Sequence, residues 1–184
     1  MGIVAKRLRN GLLLGVLLAG MLGAVPVATA LEIGELAPDF MLLSTTGEKI
    51  SLSQFRGKTA VLIEFYGADF SPTCVKNLVA RKADYSKFQG LNVQVLGISD
   101  GNPFSQKALS DSLKLPYPLL SDFPDLQVLR RYGVLEQSQV SGSRRAFFLV
   151  DQQGIVRGQW WGESFDVFSS ENILQAAQAM LQKP

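Results

Sequence analysis

One cysteine and no histidine restrict the chemistry open to this 184-residue chain. Without an imidazole, a serine or cysteine triad that depends on a histidine base is excluded, and so is a zinc site built from cysteine and histidine. The carboxylate residues show no clustered spacing that would indicate a metal site of another kind. Because no second cysteine is present to form a disulfide within the chain, the thiol of Cys74 is either reactive or simply buried.

Cys74 lies where a predicted strand is followed by a predicted helix. Residues 59–65 read TAVLIEF, which is β-branched and almost continuously apolar, the pattern of a strand covered on both faces. After a loop over 67–73, apolar residues recur at helical spacing as far as Phe88. The first turn of a helix offers unpaired N–H groups and the positive end of the dipole, which favour a thiolate. Position therefore indicates a reactive sulfur, although free cysteines are also common as small buried hydrophobes.

Strand and helix patterns alternate through the rest of the chain. A small hairpin is predicted around the turn at 44–47, and a closing hairpin around the turn at 151–154. The other predicted elements are a buried strand over 92–98 and helices over 103–113, 123–132 and 173–181. This order predicts one α/β domain with a central mixed sheet and helices on both faces.

The first thirty residues have a different character from the rest. They contain a basic start, an apolar run and a small-x-small site, in this order: Lys6, Arg7 and Arg9, then 12–22, then Ala28-Thr29-Ala30. This is the pattern of a secretory signal peptide cleaved after Ala30. An uncleaved membrane anchor is the alternative, but Gly20, Gly23 and Pro26 weaken a continuous spanning helix. We therefore expect a signal peptide over 1–30 and a single domain over 31–184.

Removal of the leader changes the charge balance of the chain. It leaves 15 basic and 16 acidic residues, a formal net charge of −1, so no basic patch argues for nucleic-acid binding. No stable membrane insertion is expected after cleavage. The expected location is the periplasm or an equivalent compartment, which would be the thylakoid lumen in a photosynthetic host.

Three segments resemble the peroxiredoxins, the alkyl hydroperoxide reductase/thiol-specific antioxidant family. Residues 65–74, FYGADFSPTC, resemble the active-site loop Pro-x-x-x-Thr/Ser-x-x-Cys, with Ser71 and Cys74 matching it. Upstream, APDF at 37–40 and FRGK at 55–58 are similar to the entry segment of the family, and downstream 145–151 is similar to its Arg-x-x-Phe-hydrophobic-hydrophobic-Asp strand. The resemblance covers residues 33–161 and is closest to the bacterioferritin comigratory protein/peroxiredoxin Q subfamily.

The resemblance implies a thioredoxin-like fold and a thiol-dependent peroxidase that uses no cofactor or metal. Cys74 would be the peroxide-attacking residue, and Arg145 would hold its thiolate and the peroxide; Arg144 competes for that role, but the spacing to Asp151 favours Arg145. Ser71 would exchange a hydrogen bond with substrate or thiolate and is also a candidate helix cap. Thr73, through its backbone N–H, and Gly67 would border the substrate, which is hydrogen peroxide or a small organic hydroperoxide.

Three positions depart from the family pattern. Gly67 replaces the proline, Asn77 replaces an acidic residue, and Val79 stands where the peroxiredoxin Q subfamily often has its second cysteine. A sulfenic acid on Cys74 would then need an external thiol, either a thioredoxin-like protein or a small molecule, and the protein would be a monomer or homodimer.

Two other functions remain open at this point. The first is a redoxin-like binding or chaperone module with a decayed site, and the second is a thiol protein that forms mixed disulfides. A thioredoxin-type dithiol cycle is unavailable, because Ser71 stands in place of the first cysteine of Cys-x-x-Cys.

Overall fold

A computed structural model of the chain describes residues 31–136, 142–162 and 167–181. The predicted signal peptide, residues 1–30, lies outside the described residues. Within these described residues, seven strands and four α-helices follow in the order β1 Met41–Ser44, β2 Lys49–Ser51, β3 Ala60–Phe65, α1 Pro72–Gly90, β4 Val93–Ser99, α2 Pro103–Leu113, β5 Leu119–Ser121, α3 Gln127–Arg131, β6 Ala146–Val150, β7 Val156–Trp161 and α4 Glu171–Leu181. A short 3₁₀ helix, Leu52–Phe55, links β2 to β3.

The strands form one mixed sheet in the order β2-β1-β5-β4-β3-β6-β7. The central strands β3, β4 and β5 are parallel, because helices connect them, whereas β6 runs antiparallel to β3 and pairs with β7 in the closing hairpin. β3 is buried at all six positions, as its apolar sequence predicts. The parallel strands therefore end at one edge of the sheet, where the loop from β3 to α1 lies.

Side chains on the two faces of the sheet form two separate cores. One core contains the buried face of α3 with Phe65 and Phe148, and the other contains Leu78 of α1, Leu109 of α2 and residues of α4. Helices thus cover both faces. This confirms the predicted α/β class with a thioredoxin-like arrangement and a central mixed sheet.

Two elements between α2 and β6 differ from the sequence prediction. The helix expected over 123–132 is only the five residues of α3, because Leu126 has a φ of +53° and a helix cannot continue through a left-handed residue. The Asp122 carboxylate binds the Leu129 N–H at 2.8 Å and fixes this short helix. β5 was not predicted, since three residues are too short to show a period.

Within the part of the chain that the structure describes, no helix combines the length and apolar character needed to cross a bilayer.

Candidate active site

The loop between β3 and α1 brings Cys74 to the start of a helix. Ser71 precedes the first turn with extended backbone, φ −60° and ψ 131°, and Pro72 takes the first helical position, where its fixed φ is favourable. Just before, the chain turns at Phe70, whose φ of +61° is left-handed. Cys74 is therefore the third residue of α1, in the first turn as the sequence predicts.

Two backbone N–H groups in this turn have no acceptor within the helix. The Val75 N–H donates to the Ser71 carbonyl at 2.9 Å, and Pro72 carries no N–H. The N–H groups of Thr73 and Cys74 lie ahead of the first helical hydrogen bonds. An anion beside Cys74, either its own thiolate or a developing peroxide oxyanion, would meet these donors and the positive end of the helix dipole.

The side chain of Cys74 is itself buried, with 4% of its surface exposed. Its surroundings are an apolar cluster that includes Tyr66, Leu78 and Phe147. Exclusion of water strengthens any electrostatic interaction with the sulfur. A cation on this face of the sheet would therefore be an effective stabiliser of the thiolate.

Arg145 and Arg144 lie on opposite faces of the sheet. Arg144 is exposed, and its guanidinium stacks over the Trp161 ring at 4.9 Å, on the face where Trp161 meets Phe148. Arg145 is half-buried and precedes β6, in which Phe147 shares the cluster of Cys74. Its charge acts on Glu64, which is buried under α1. Arg145 thus lies on the Cys74 side of the sheet and Arg144 does not.

The three other predicted site residues lie along the same loop. Gly67 is buried at its start, and Ser71 and Thr73 are half-buried on either side of Pro72. The Ser71 side chain makes no capping hydrogen bond, so the candidate cap role is not observed. Gly67 is not one of the described glycines with a positive φ. The sign of its φ therefore gives no reason for glycine at this position, where the family has proline.

Tyr66 and Asp69 hold this loop against the neighbouring strand ends. The Tyr66 hydroxyl donates to Asp69 Oδ1 at 3.0 Å. Burial, reinforced by the Asp69 carboxylate, raises the pKa of Tyr66 well above its ordinary value, so the phenol remains a donor. A Cβ at Gly101 would meet the Asp69 carboxylate, so the chain after β4 passes close to this side chain. The loop that precedes Cys74 is therefore held by the Tyr66–Asp69 hydrogen bond and lies against Gly101.

A buried polar network below α1 was missed at the sequence level. Glu64, in the middle of β3, pairs with Arg81 of α1 at 3.3 Å between Oε2 and Nε, and both side chains are 0% exposed. Burial raises the pKa of Glu64 above its ordinary value of 4.5, against the opposing charges of Arg81 and Arg145. Arg81 also donates to the Phe168 carbonyl and the Ser170 hydroxyl. The signal was present, since a glutamate inside an apolar strand requires a buried partner.

Comparisons with known proteins agree with this arrangement. The AhpC/TSA family model matches residues 33–159, which include Cys74 and Arg145. The chloroplastic peroxiredoxin Q of Suaeda salsa is 37% identical over 124 residues, which cover 67% of this chain and 57% of that protein. The putative peroxiredoxin bcp of Coxiella burnetii is 32% identical over 136 residues, covering 71% and 89%. The crystal structure of Enterococcus faecalis AhpC matches with a TM-score of 0.75 at 26% identity, covering 83% of this chain and 93% of that one.

Fold and site together define a thioredoxin-fold thiol protein with one cysteine at a helix start. The chain belongs to the AhpC/TSA family, and the resemblance to the peroxiredoxin Q and bacterioferritin comigratory protein subfamily is confirmed by the names of its relatives. It spans a little over half the length of several plant relatives that it matches, 57% in the case of the Suaeda salsa protein.

Proposed function

We propose that this protein is a thiol-dependent peroxidase that reduces hydrogen peroxide or small organic hydroperoxides through Cys74. The observation that carries the proposal is the placement of the only cysteine in the chain: in the first turn of α1, shielded from water, and on the same face of the sheet as Arg145. Family membership supports the same reaction class.

The oxidative step needs a thiolate and stabilisation of a departing oxygen rather than a general base. The sulfur donates an electron pair to one peroxide oxygen, an S–O bond forms, and the O–O bond breaks. Cys74 becomes a sulfenic acid, while the departing oxygen leaves as hydroxide or alkoxide and takes up a proton from solvent. The Arg145 guanidinium and the N–H groups of Thr73 and Cys74 supply positive charge on this face, which explains how the reaction proceeds without histidine.

The reductive step requires a thiol from outside the chain. Val79, five residues after Cys74, is half-exposed on α1 and offers no sulfur. An external thiol attacks the sulfenic sulfur, releases water and forms a mixed disulfide, which a second thiol reduces to regenerate Cys74. We propose a thioredoxin-like protein or a small thiol as that reductant, and a monomer or homodimer as the working form.

Chemical trapping tests this cycle. One equivalent of peroxide followed by dimedone should label wild-type protein at Cys74, and excess peroxide without reductant should convert Cys74 to a sulfinic acid and stop turnover. Cys74→Ser should remain folded, because the volume changes little, and should lose thiol-dependent peroxide consumption. Peroxide consumption by Cys74→Ser would contradict the proposal. Fast mixed-disulfide formation with slow peroxide reaction in the wild type would point to the thiol–disulfide function instead.

We also propose that the protein is exported, to the periplasm or to a thylakoid lumen. The support is the leader over 1–30, with its basic start, apolar run and Ala28-Thr29-Ala30 site. Intact mass spectrometry of protein from the native host should show a chain that begins at Leu31. A species that retains Met1–Ala30 in the cytosolic fraction would refute this.

A further inference from the structure

Asn77 binds the peptide unit that contains the Cys74 N–H. Its Nδ2 donates to the Thr73 carbonyl oxygen at 2.9 Å, one helical turn earlier. The Thr73 carbonyl and the Cys74 N–H belong to the same planar peptide group, so fixing one fixes the direction of the other. Asn77 is fully buried, 0% exposed, so this hydrogen bond is shielded from competition with water.

The opposite end of the Asn77 amide is held by the segment before α4. The Phe168 N–H donates to Asn77 Oδ1 at 2.8 Å, and the Phe168 carbonyl accepts from Arg81 Nη2 at 2.7 Å. Arg81 is anchored in turn by Glu64 and Ser170. Because the Phe168 N–H requires an oxygen, Asn77 Oδ1 faces Phe168 and Nδ2 faces the Thr73 carbonyl, which fixes the orientation of the Asn77 amide.

We propose that Asn77 is a positioning residue for peroxide reduction, acting through the Thr73–Cys74 peptide on the Cys74 N–H. The inference rests on the proposed function, in which that N–H stabilises the charge that develops on the peroxide. A hydrogen bond to the carbonyl polarises the peptide and strengthens the N–H as a donor. A carboxylate at this position could accept from Phe168 but could not donate to Thr73, which gives a physical reason for asparagine where the family has an acidic residue.

Four variants separate the contact of Asn77 with Thr73 from its contact with Phe168. Asn77→Ser and Asn77→Ala both lose the acceptor for Phe168, but a helical serine can donate to the carbonyl four residues earlier and alanine cannot. In contrast to Asn77→Ser, Asn77→Asp keeps the acceptor for the Phe168 N–H and loses the donor to the Thr73 carbonyl. Ser170→Ala weakens the anchoring of Arg81 without touching Asn77, and serves as the control for loosened packing.

The measured quantity is the rate constant of Cys74 with hydrogen peroxide divided by its rate constant with iodoacetamide. Alkylation depends on the thiolate and on access to the sulfur but develops no oxyanion, so the ratio removes changes in ionisation. The comparison of serine with alanine adds no charge and therefore isolates the donor to Thr73. We expect the ratio to fall about tenfold in Asn77→Ala and Asn77→Asp and to stay within about twofold of the wild type in Asn77→Ser. Ser170→Ala should lower thermal stability and leave the ratio unchanged.

Two results would overturn the proposal. Equal falls in Asn77→Ser and Asn77→Ala would show that the contact with Phe168 matters and the donor to Thr73 does not. An unchanged ratio in all Asn77 variants, with lowered thermal stability, would show a purely structural role. If Asn77→Asp does not fold, the comparison of serine with alanine decides alone. Failure of the peroxidase proposal would look different, because the wild type itself would react with peroxide no faster than free cysteine.

Discussion

Two adjacent arginines have different environments in this structure. Arg144 is exposed and stacks on Trp161, whereas Arg145 is half-buried on the face that also carries Cys74. The chain passes so closely over Arg145 that a Cβ at Gly162 would lie 2.7 Å from its Cδ, and the Gly162 N–H binds its carbonyl at 3.0 Å. Arg145 is thus restrained in a way that suits a preorganised cation.

We expect Arg145→Lys to reduce peroxidase activity severely and Arg144→Lys to change it little. An ammonium cannot reproduce the planar fork of a guanidinium, and loss of one preorganised donor to a developing anion costs about 3 kcal/mol, roughly a hundredfold in rate. Steady-state peroxide consumption with dithiothreitol as reductant measures both variants. Equal losses of activity, or a larger loss for Arg144→Lys, would show that Arg145 is not the arginine that stabilises the developing anion.

At the scale of elements, β3 and α1 are joined by a buried charge pair as well as by apolar packing. Glu64 and Arg81 are 17 residues apart in sequence and meet at 3.3 Å in the core below the cysteine helix. The Arg81 guanidinium also lies 5.2 Å from the centroid of the Phe147 ring, which stacks on Phe168 at 4.7 Å. Removal of one partner from such a pair typically costs about 3–5 kcal/mol of stability.

The raised pKa of Glu64 predicts a specific pH dependence of stability. Burial makes the folded state hold this proton more tightly than the unfolded state, whose ordinary value is 4.5. The associated stabilisation is therefore present below about pH 4.5 and is lost as pH rises through the folded-state pKa. The glutamine in Glu64→Gln cannot ionise. The free energy of unfolding of the wild type should therefore fall relative to that of the variant as the pH rises from about 4.5 through the folded-state pKa.

Urea unfolding of both proteins between pH 4 and 8, a range chosen to span that loss, measures the difference. Glu48→Gln, the same substitution at an exposed position of the β1–β2 turn, is the matched control. A wild-type-minus-variant difference that stays constant with pH, or that does not exceed the control, would contradict the buried titration.

For the whole molecule, the class of fold could be predicted from the sequence because the patterns that indicate it are formed by residues close together in the chain. Continuous apolar strands, helical periods and turns repeat in an order that allows few topologies, and the predicted strand, loop and helix around Cys74 were confirmed. The predicted helix over 103–113 matches α2 at both ends. The short limits of α3, predicted as a longer helix, depend on a left-handed residue, and the unpredicted β5 depends on its neighbours in the sheet.

The network beneath the site could not be predicted because its partners are far apart in sequence. Asn77 and Arg81 meet Phe168 and Ser170 across 87 to 91 residues. From the sequence alone, Asn77 was only a departure from the family pattern. The folded chain shows which groups its amide satisfies, and this contact becomes visible only when α1 and the segment before α4 are brought together.

The second-order rate constant of Cys74 with hydrogen peroxide at neutral pH tests the central claim most directly. Stopped-flow mixing of the reduced protein, with free cysteine measured under identical conditions, provides the comparison. A buried thiolate at a helix start, with Arg145 on the same face, should react at least on the order of a hundredfold faster than free cysteine. A rate no faster than that of free cysteine would contradict the peroxidase account and favour a redoxin-like binding module whose site has decayed.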